Sequence, residues 1–142
     1  MEDLTSEKPQ SCQGSFAAFQ TAPASTQMES HLLLIARSLA RLSRHPFARE
    51  VIKVTQANRT AECPVLGFQE FEGRGLGGAV QLPGEHSPRA VLAGARRFLE
   101  EAGLGLPDLL EVAARRWEKE GATVVFVGWD GYVRGLLKFL PS

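Results

Sequence analysis

Cysteine is nearly absent from this chain of 142 residues: Cys12 and Cys63 stand far apart, with neither metal-ligand spacing nor a disulfide framework. Net charge is absent too. Sixteen basic side chains balance sixteen acidic ones, which argues against a general binder of nucleic acid or of an acidic membrane surface. No apolar run approaches the ~18 residues of a membrane-spanning helix, and the N-terminus has no signal-peptide pattern. The sequence contains no G-x-x-x-x-G-K-[ST], no G-x-S-x-G, no H-E-x-x-H and no nearby Cys/His pair, so neither a self-contained catalytic apparatus nor a metal site is expected. What is present is globular: 44% hydrophobic and 23% charged residues in a length suited to one domain. The expectation is a soluble, cytosolic domain.

Residues 1–14 are polar and without period, and read as a flexible leader or linker; residues 15–142 read as a single domain. The apolar segment Ser15–Thr21 suggests an edge strand. From Thr26 to Ser43 the period is helical, with Ile35, Leu39 and Leu42 on one face and Arg37, Arg41 and Arg44 on the other, the basic stripe reading as a solvated face. Pro46 is well placed to open a second helix running to about Ala57 and burying Phe47, Val51 and Val54. Strands follow at Val65–Glu72, Leu76–Leu82 and Arg89–Gly94, then helices at Ala95–Ala102 and Pro107–Glu120, with Trp117 in the core. The clearest strand signal is Ala122–Trp129, turned back by Asp130-Gly131 into Tyr132–Phe139, with Trp129 half-exposed at the hairpin end. About six short strands joined mainly by hairpins make an antiparallel sheet flanked by helices, an α+β fold.

Two features invite a ligand. Gly73, Gly75 and Gly78 satisfy G-x-G-x-x-G, but the following residues lead into Pro83 as a strand, whereas a dinucleotide site needs a helix opening at the glycines. The nicotinamide oxidoreductase reading is therefore rejected. What remains is a glycine turn that either lets another molecule approach the backbone or only supplies positive φ. His45-Pro46 is the second feature. The residue before proline is pushed to extended geometry, so His45 marks the junction of two helices, where it can cap the second or meet a base or phosphate. Arg41, Arg44 and Arg49 surround it in sequence and suggest a seat for phosphate groups.

The order of these pieces is more specific than any one of them. Ser43-Arg44-His45-Pro46-Phe47-Ala48-Arg49 is followed about twenty residues later by Phe68-Gln69-Glu70-Phe71-Glu72-Gly73-Arg74-Gly75-Leu76-Gly77-Gly78, then by Val91-Leu92-Ala93-Gly94 and by the run Gly121–Gly131. This resembles the nucleotide-binding domain of the heavy-metal-transporting P-type ATPases from about Ser15 to the C-terminus. The resemblance implies a six-stranded antiparallel sheet and ATP, with Mg²⁺ on the nucleotide, bound beside the glycine turn. His45 would orient the nucleotide, Gly73 and Gly75 would lie against it, Leu76 would contact it, and Gly94 would match the first residue of a Gly-Asn pair.

Three positions depart from that pattern: Ala40 and Arg44 stand where the family usually has glutamate, and Ala95 where it has asparagine. Losing polar base contacts implies weaker or less base-selective binding, at about 1 kcal/mol each, while Arg44 adds attraction for the triphosphate. The phosphate-accepting D-K-T-G-T motif is not in the sequence, so the domain should bind ATP or ADP without hydrolysing ATP alone. The resemblance also implies phosphorylation and actuator domains as partners, copper as the first guess for the transported ion, and a cytoplasmic domain of a membrane protein that does not itself enter the membrane. The competing reading is a non-enzymatic regulatory or interaction module that keeps the fold with weakened nucleotide binding.

Overall fold

The apolar run near the C-terminus becomes the centre of the fold because both of its faces must be covered. The computed structural model describes residues 14–18, 26–57 and 60–141. Its elements in order are β1 (Gly14–Ala18), α1 (Thr26–Ala40), α2 (Pro46–Ala57), β2 (Val65–Phe71), β3 (Gly75–Val80), β4 (Arg89–Gly94), α3 (Arg96–Glu101), α4 (Asp108–Lys119), β5 (Thr123–Trp129) and β6 (Tyr132–Pro141). The six strands form one sheet in the order β1-β6-β5-β4-β3-β2, with every neighbouring pair antiparallel. This is the α+β arrangement expected from the sequence.

Alternate side chains of β5 serve two cores. Val127 and Trp129 enter the first, which α1 and α2 close with Leu32, Ile35, Leu39 and Val51. Val124 and Phe126 enter the second, closed by Leu99 of α3 and by Leu110, Ala114 and Trp117 of α4. A strand buried on both sides reads as a continuous β-branched and aromatic run, whereas the edge strand β2, mostly exposed, reads as mixed. Each fully buried large apolar side chain contributes roughly 1.5–3 kcal/mol, so helices on both faces hold the sheet.

The β5–β6 hairpin turns at Asp130 and Gly131 with φ of 52° and 83°, the doubly left-handed turn that suits the twist of paired strands. Where the ladder slips between Val127 and Gly128, Arg134 donates to the carbonyls of Trp129 and Asp130, each at 2.9 Å. β2 carries a comparable irregularity. Leu66 pairs with Ala79 and Gln69 with Gly77, so Gly67 and Phe68 share one opposing residue, and Gly67 takes φ of 63°.

Three sequence expectations are corrected. α1 stops at Ala40, not Ser43. Its last bonds, from the N–H groups of Leu42 and Ser43, reach back only three residues, to Leu39 and Ala40, a tightening that precedes the extended approach to Pro46. Leu42 is consequently exposed rather than core. The basic stripe is a solvated face only in part: Arg44 is exposed, whereas Arg37 and Arg41 are tied to the chain. Arg37 donates to the Ile52 carbonyl and the Thr55 hydroxyl and pairs with Glu62 at 2.9 Å, while Arg41 donates to the Cys63 carbonyl at 3.1 Å. Trp129 is buried rather than half-exposed, because the β5 alternation turns it into the first core.

The leader expected over residues 1–14 lies outside the described residues except for Gly14, as do Cys12 and Asn58-Arg59. Cys63 is free and buried. No described helix is long and apolar enough to cross a membrane, and no group of three His, Cys, Asp or Glu among the described residues could hold a metal ion.

Candidate functional site

His45 sits where the sequence places it, exposed at the start of α2. Its Nδ1 accepts the Phe47 N–H at 3.2 Å, as a capping side chain does. A neutral imidazole that accepts at Nδ1 carries its proton on Nε2, so the free edge of the ring is a donor. The ring centroid lies 4.9 Å from that of Phe47, which itself stacks on Phe139 at 4.3 Å with planes 10° apart. An exposed imidazole thus rests on an aromatic pair rooted in the first core. The capping contact uses Nδ1 alone and leaves Nε2 available as a donor.

The loop before His45 is fastened to the sheet. The Ser43 hydroxyl donates to a carboxylate oxygen of Glu70, the Arg44 N–H donates to the other at 3.4 Å, and the His45 N–H donates to the Ser43 oxygen at 3.0 Å. Glu70 lies on β2 directly opposite Leu76 of β3, and Leu76 packs against the first core. The His-Pro junction therefore meets the β2–β3 hairpin at the level of Leu76, on the α1/α2 face of the sheet. Neither Ser43 nor Glu70 was singled out from the sequence, since only the tertiary fold brings together residues 27 positions apart.

The glycines serve the hairpin in two ways. Gly73 has φ of 75° and open space where a Cβ would point, so its turn conformation is what requires glycine. Gly75 and Gly94 face each other across β3 and β4. A Cβ on Gly75 would lie 2.4 Å from the Ala93 carbonyl oxygen and 2.6 Å from the Phe98 ring; one on Gly94 would lie 2.4 Å from the Arg74 oxygen and 2.7 Å from the Gly75 Cα. Their missing side chains thus make room for the protein's own Phe98, on the α3 side. The Ala95 N–H donates to the Arg74 carbonyl at 3.1 Å, tying the glycine turn to the β4–α3 junction.

Five of the six residues singled out from the sequence (Arg44, His45, Gly75, Leu76 and Gly94) are linked through these contacts, and Gly73 adjoins them in the turn. Of the three arginines suggested as a phosphate seat, Arg41 is engaged by Glu62 and the Cys63 carbonyl, while Arg44 and Arg49 are exposed. Ala40 is buried in the first core, and Ala95 is exposed. A separate concavity of about 540 Å³ lies over Gly77, Ala79, Leu92 and Leu104. Those residues belong to the opposite face, and none of the six lines the concavity. It offers apolar sheet surface without a convergence of charged groups, and is distinct from the His45 junction.

No model of a known protein family matches the chain. Curated relatives do. A probable copper-exporting P-type ATPase V of Mycobacterium tuberculosis is 32% identical over 106 residues, 75% of this chain and 13% of the relative. A probable copper-transporting ATPase PacS of Synechocystis is 28% identical over 121 residues, 84% of this chain and 15% of the relative. The chain therefore spans only about an eighth to a seventh of the length of these relatives. Among solved structures, the N-domain of HMA6, a copper-transporting P-type ATPase, covers 89% of this chain and is itself 98% covered, at TM-score 0.67 and 20% identity. A zinc-transporting P-type ATPase in its E2P state aligns at TM-score 0.72 and 22% identity, over 92% of this chain and 19% of the other. By shared sequence with the copper ATPases the chain belongs to the heavy-metal-transporting P-type ATPases, and its fold is that of the N-domains solved for that family.

Proposed function

We propose that this N-domain binds ATP, with the purine between the His45 loop and the β2–β3 hairpin, and presents the γ-phosphate to a phosphorylation domain elsewhere in a longer heavy-metal pump. In this reading the Nε2–H of His45 donates to the nucleotide, Leu76 gives an apolar surface to the base, and the Gly73–Gly75 main chain borders the ligand. Gly94 lets β4 approach that turn, and Arg44 adds positive charge for the phosphates. Mg²⁺ accompanies the nucleotide and neutralises its charge when transfer occurs. The D-K-T-G-T sequence is not among the 142 residues, so no hydrolysis is assigned to this chain. Phosphorylation and actuator domains are its proposed partners, copper is the first candidate for the transported ion, and the domain is placed on the cytoplasmic side of the membrane.

The observation that carries the reading is the fastening of the Ser43–His45 loop to Glu70, opposite Leu76. It puts a free imidazole edge and the glycine hairpin on the same part of the sheet. Titration with ATP, ADP and adenosine, followed by amide shifts, tests it. Saturable shifts clustered at His45 and Gly75 are expected, and Arg44→Glu is expected to weaken ATP more than adenosine. Flat spectra at millimolar ATP favour the second reading, an interaction module that keeps the fold. Ala40, buried where a base-reading glutamate would stand, and Ala95 support that alternative.

A further inference from the structure

We infer that Glu70 is the positioning residue of the nucleotide site, the group that holds His45 in register with the glycine hairpin; this rests on the ATP-binding reading above. Three residues lead from the helix junction to the sheet. The His45 N–H donates to Ser43 Oγ at 3.0 Å, the Ser43 hydroxyl donates onward to Glu70, and the Arg44 N–H donates to the second carboxylate oxygen at 3.4 Å. A serine hydroxyl has one proton to give and lone pairs to accept with, and here it does both. Glu70 therefore receives the loop at two points. Hydrogen bonds to an ionised carboxylate are stronger than neutral ones.

Position explains why Glu70, and not another acid nearby, has this role. In the β2–β3 ladder it is paired with Leu76, so its side chain leaves the same face as Leu76, towards α1 and α2. Its neighbour Phe71, paired with Gly75, turns to the other face and lies 5.5 Å from Phe98. One register step therefore separates the residue that receives the His45 loop from the residue that packs behind the glycines. Beyond Ala40 the chain has left the helix; Arg41 reaches the Cys63 carbonyl, but the other ties of Ser43 and His45 are local. The Nδ1 contact to Phe47 fixes the imidazole relative to α2, while the Glu70 contacts fix the loop relative to the hairpin. Both are needed to place Nε2 at a set distance from the nucleotide.

The experiment uses the full chain and ATP as the probe. Glu70→Ala is expected to lower ATP affinity about three- to tenfold, the range of one or two net hydrogen bonds. Ser43→Ala should do the same, and Glu70→Gln, which keeps one accepting oxygen, should fall between Glu70→Ala and the unmodified chain. Glu70 is exposed, so the thermal midpoint should barely move. In a His45→Ala background the Glu70→Ala effect should vanish, because a residue acting through His45 has nothing left to position. Equal losses with and without His45 would overturn the inference and leave ATP binding intact. If His45→Ala has no effect, or the unmodified chain ignores ATP, the functional reading itself fails. The positioning claim is then read without ligand. Amide exchange at Ser43–His45 and the imidazole resonances of His45 must change in Glu70→Ala, and unchanged values there sink the claim by themselves.

Discussion

Gly75 and Gly94 show how a residue singled out in sequence for a ligand can also be a packing solution. The spacing of Gly73, Gly75 and Gly78 invites a reading in which bare backbone meets a ligand. The structure gives Gly75 a reason of its own for lacking a side chain, with or without a ligand: the Phe98 ring and the Ala93 carbonyl occupy that space. Forcing a methyl group there is overpacking against backbone, which cannot rotate aside. Gly75→Ala and Gly94→Ala are each expected to destabilise the fold by about 2–4 kcal/mol, read from the denaturation midpoint in urea. Gly73→Ala meets no atom within 4 Å but must hold φ near 75°, and should cost about 1 kcal/mol. A loss at Gly75 no larger than at Gly73 would mean that Phe98 does not press on the sheet. His45 illustrates the converse. Its place before proline was legible, its capping contact was one of two open readings, and its anchor on Glu70 was hidden because no spacing rule connects an edge-strand carboxylate to a helix junction.

At the scale of elements, legibility followed local chemistry. β4 is found at Arg89–Gly94 as the sequence indicates, and the Asp130-Gly131 turn has the expected backbone, because alternation and turn residues are written within a few positions. The ties of Arg37 and Arg41 are not legible in the sequence, because a helical period shows which side a residue occupies, not what packs there. The connector that carries Glu62 and Cys63 covers that side.

The same scale holds a charged tie between α3 and α4. Arg96 of α3 bonds to Glu111 and, at 2.7 Å, to Glu118 of α4, while its guanidinium lies 5.0 Å from the Phe126 ring centroid. Burial alone would raise the pKa of Glu111, but the hydrogen bonds and charges of Arg96 and Arg115 outweigh it and hold the carboxyl below its ordinary value near 4.5. A depressed folded-state pKa adds stability that is present above the ordinary value and is lost as pH falls through the folded one. Glu111→Gln is therefore expected to be less stable than the unmodified chain at neutral pH. The gap should narrow as pH drops below about 4.5. A gap constant down to the acid transition would show that the tie carries no proton linkage.

For the whole molecule, the decisive fact is that two cores share one sheet. Trp129 lies in the first and Trp117 in the second, so each tryptophan reports on one side. Because β5 lines both cores, neither side should unfold alone, and a domain of this size normally behaves as one cooperative unit. Single-tryptophan chains, Trp117→Phe and Trp129→Phe, are expected to show sharp denaturation curves in which the fluorescence midpoint of each coincides with its own circular-dichroism midpoint. Fluorescence that leads or lags dichroism in either chain would reveal a side that melts on its own. The six-stranded architecture was legible because hairpin signals recur along the chain. The assignment of helix pairs to opposite faces was not, since amphipathic helices state that they cover something without stating which side of a sheet it is.

The slip at Gly67 bears on how this sheet ends. β2 is an outer strand, with Glu70 on its length and Glu72 just beyond it, and its rhythm is broken by one surplus residue. A kinked margin flanked by like charges gives a neighbouring molecule no straight row of amides to copy. The ribbon halts there, and crowding of many such molecules is not expected to extend it into a fibre along that side.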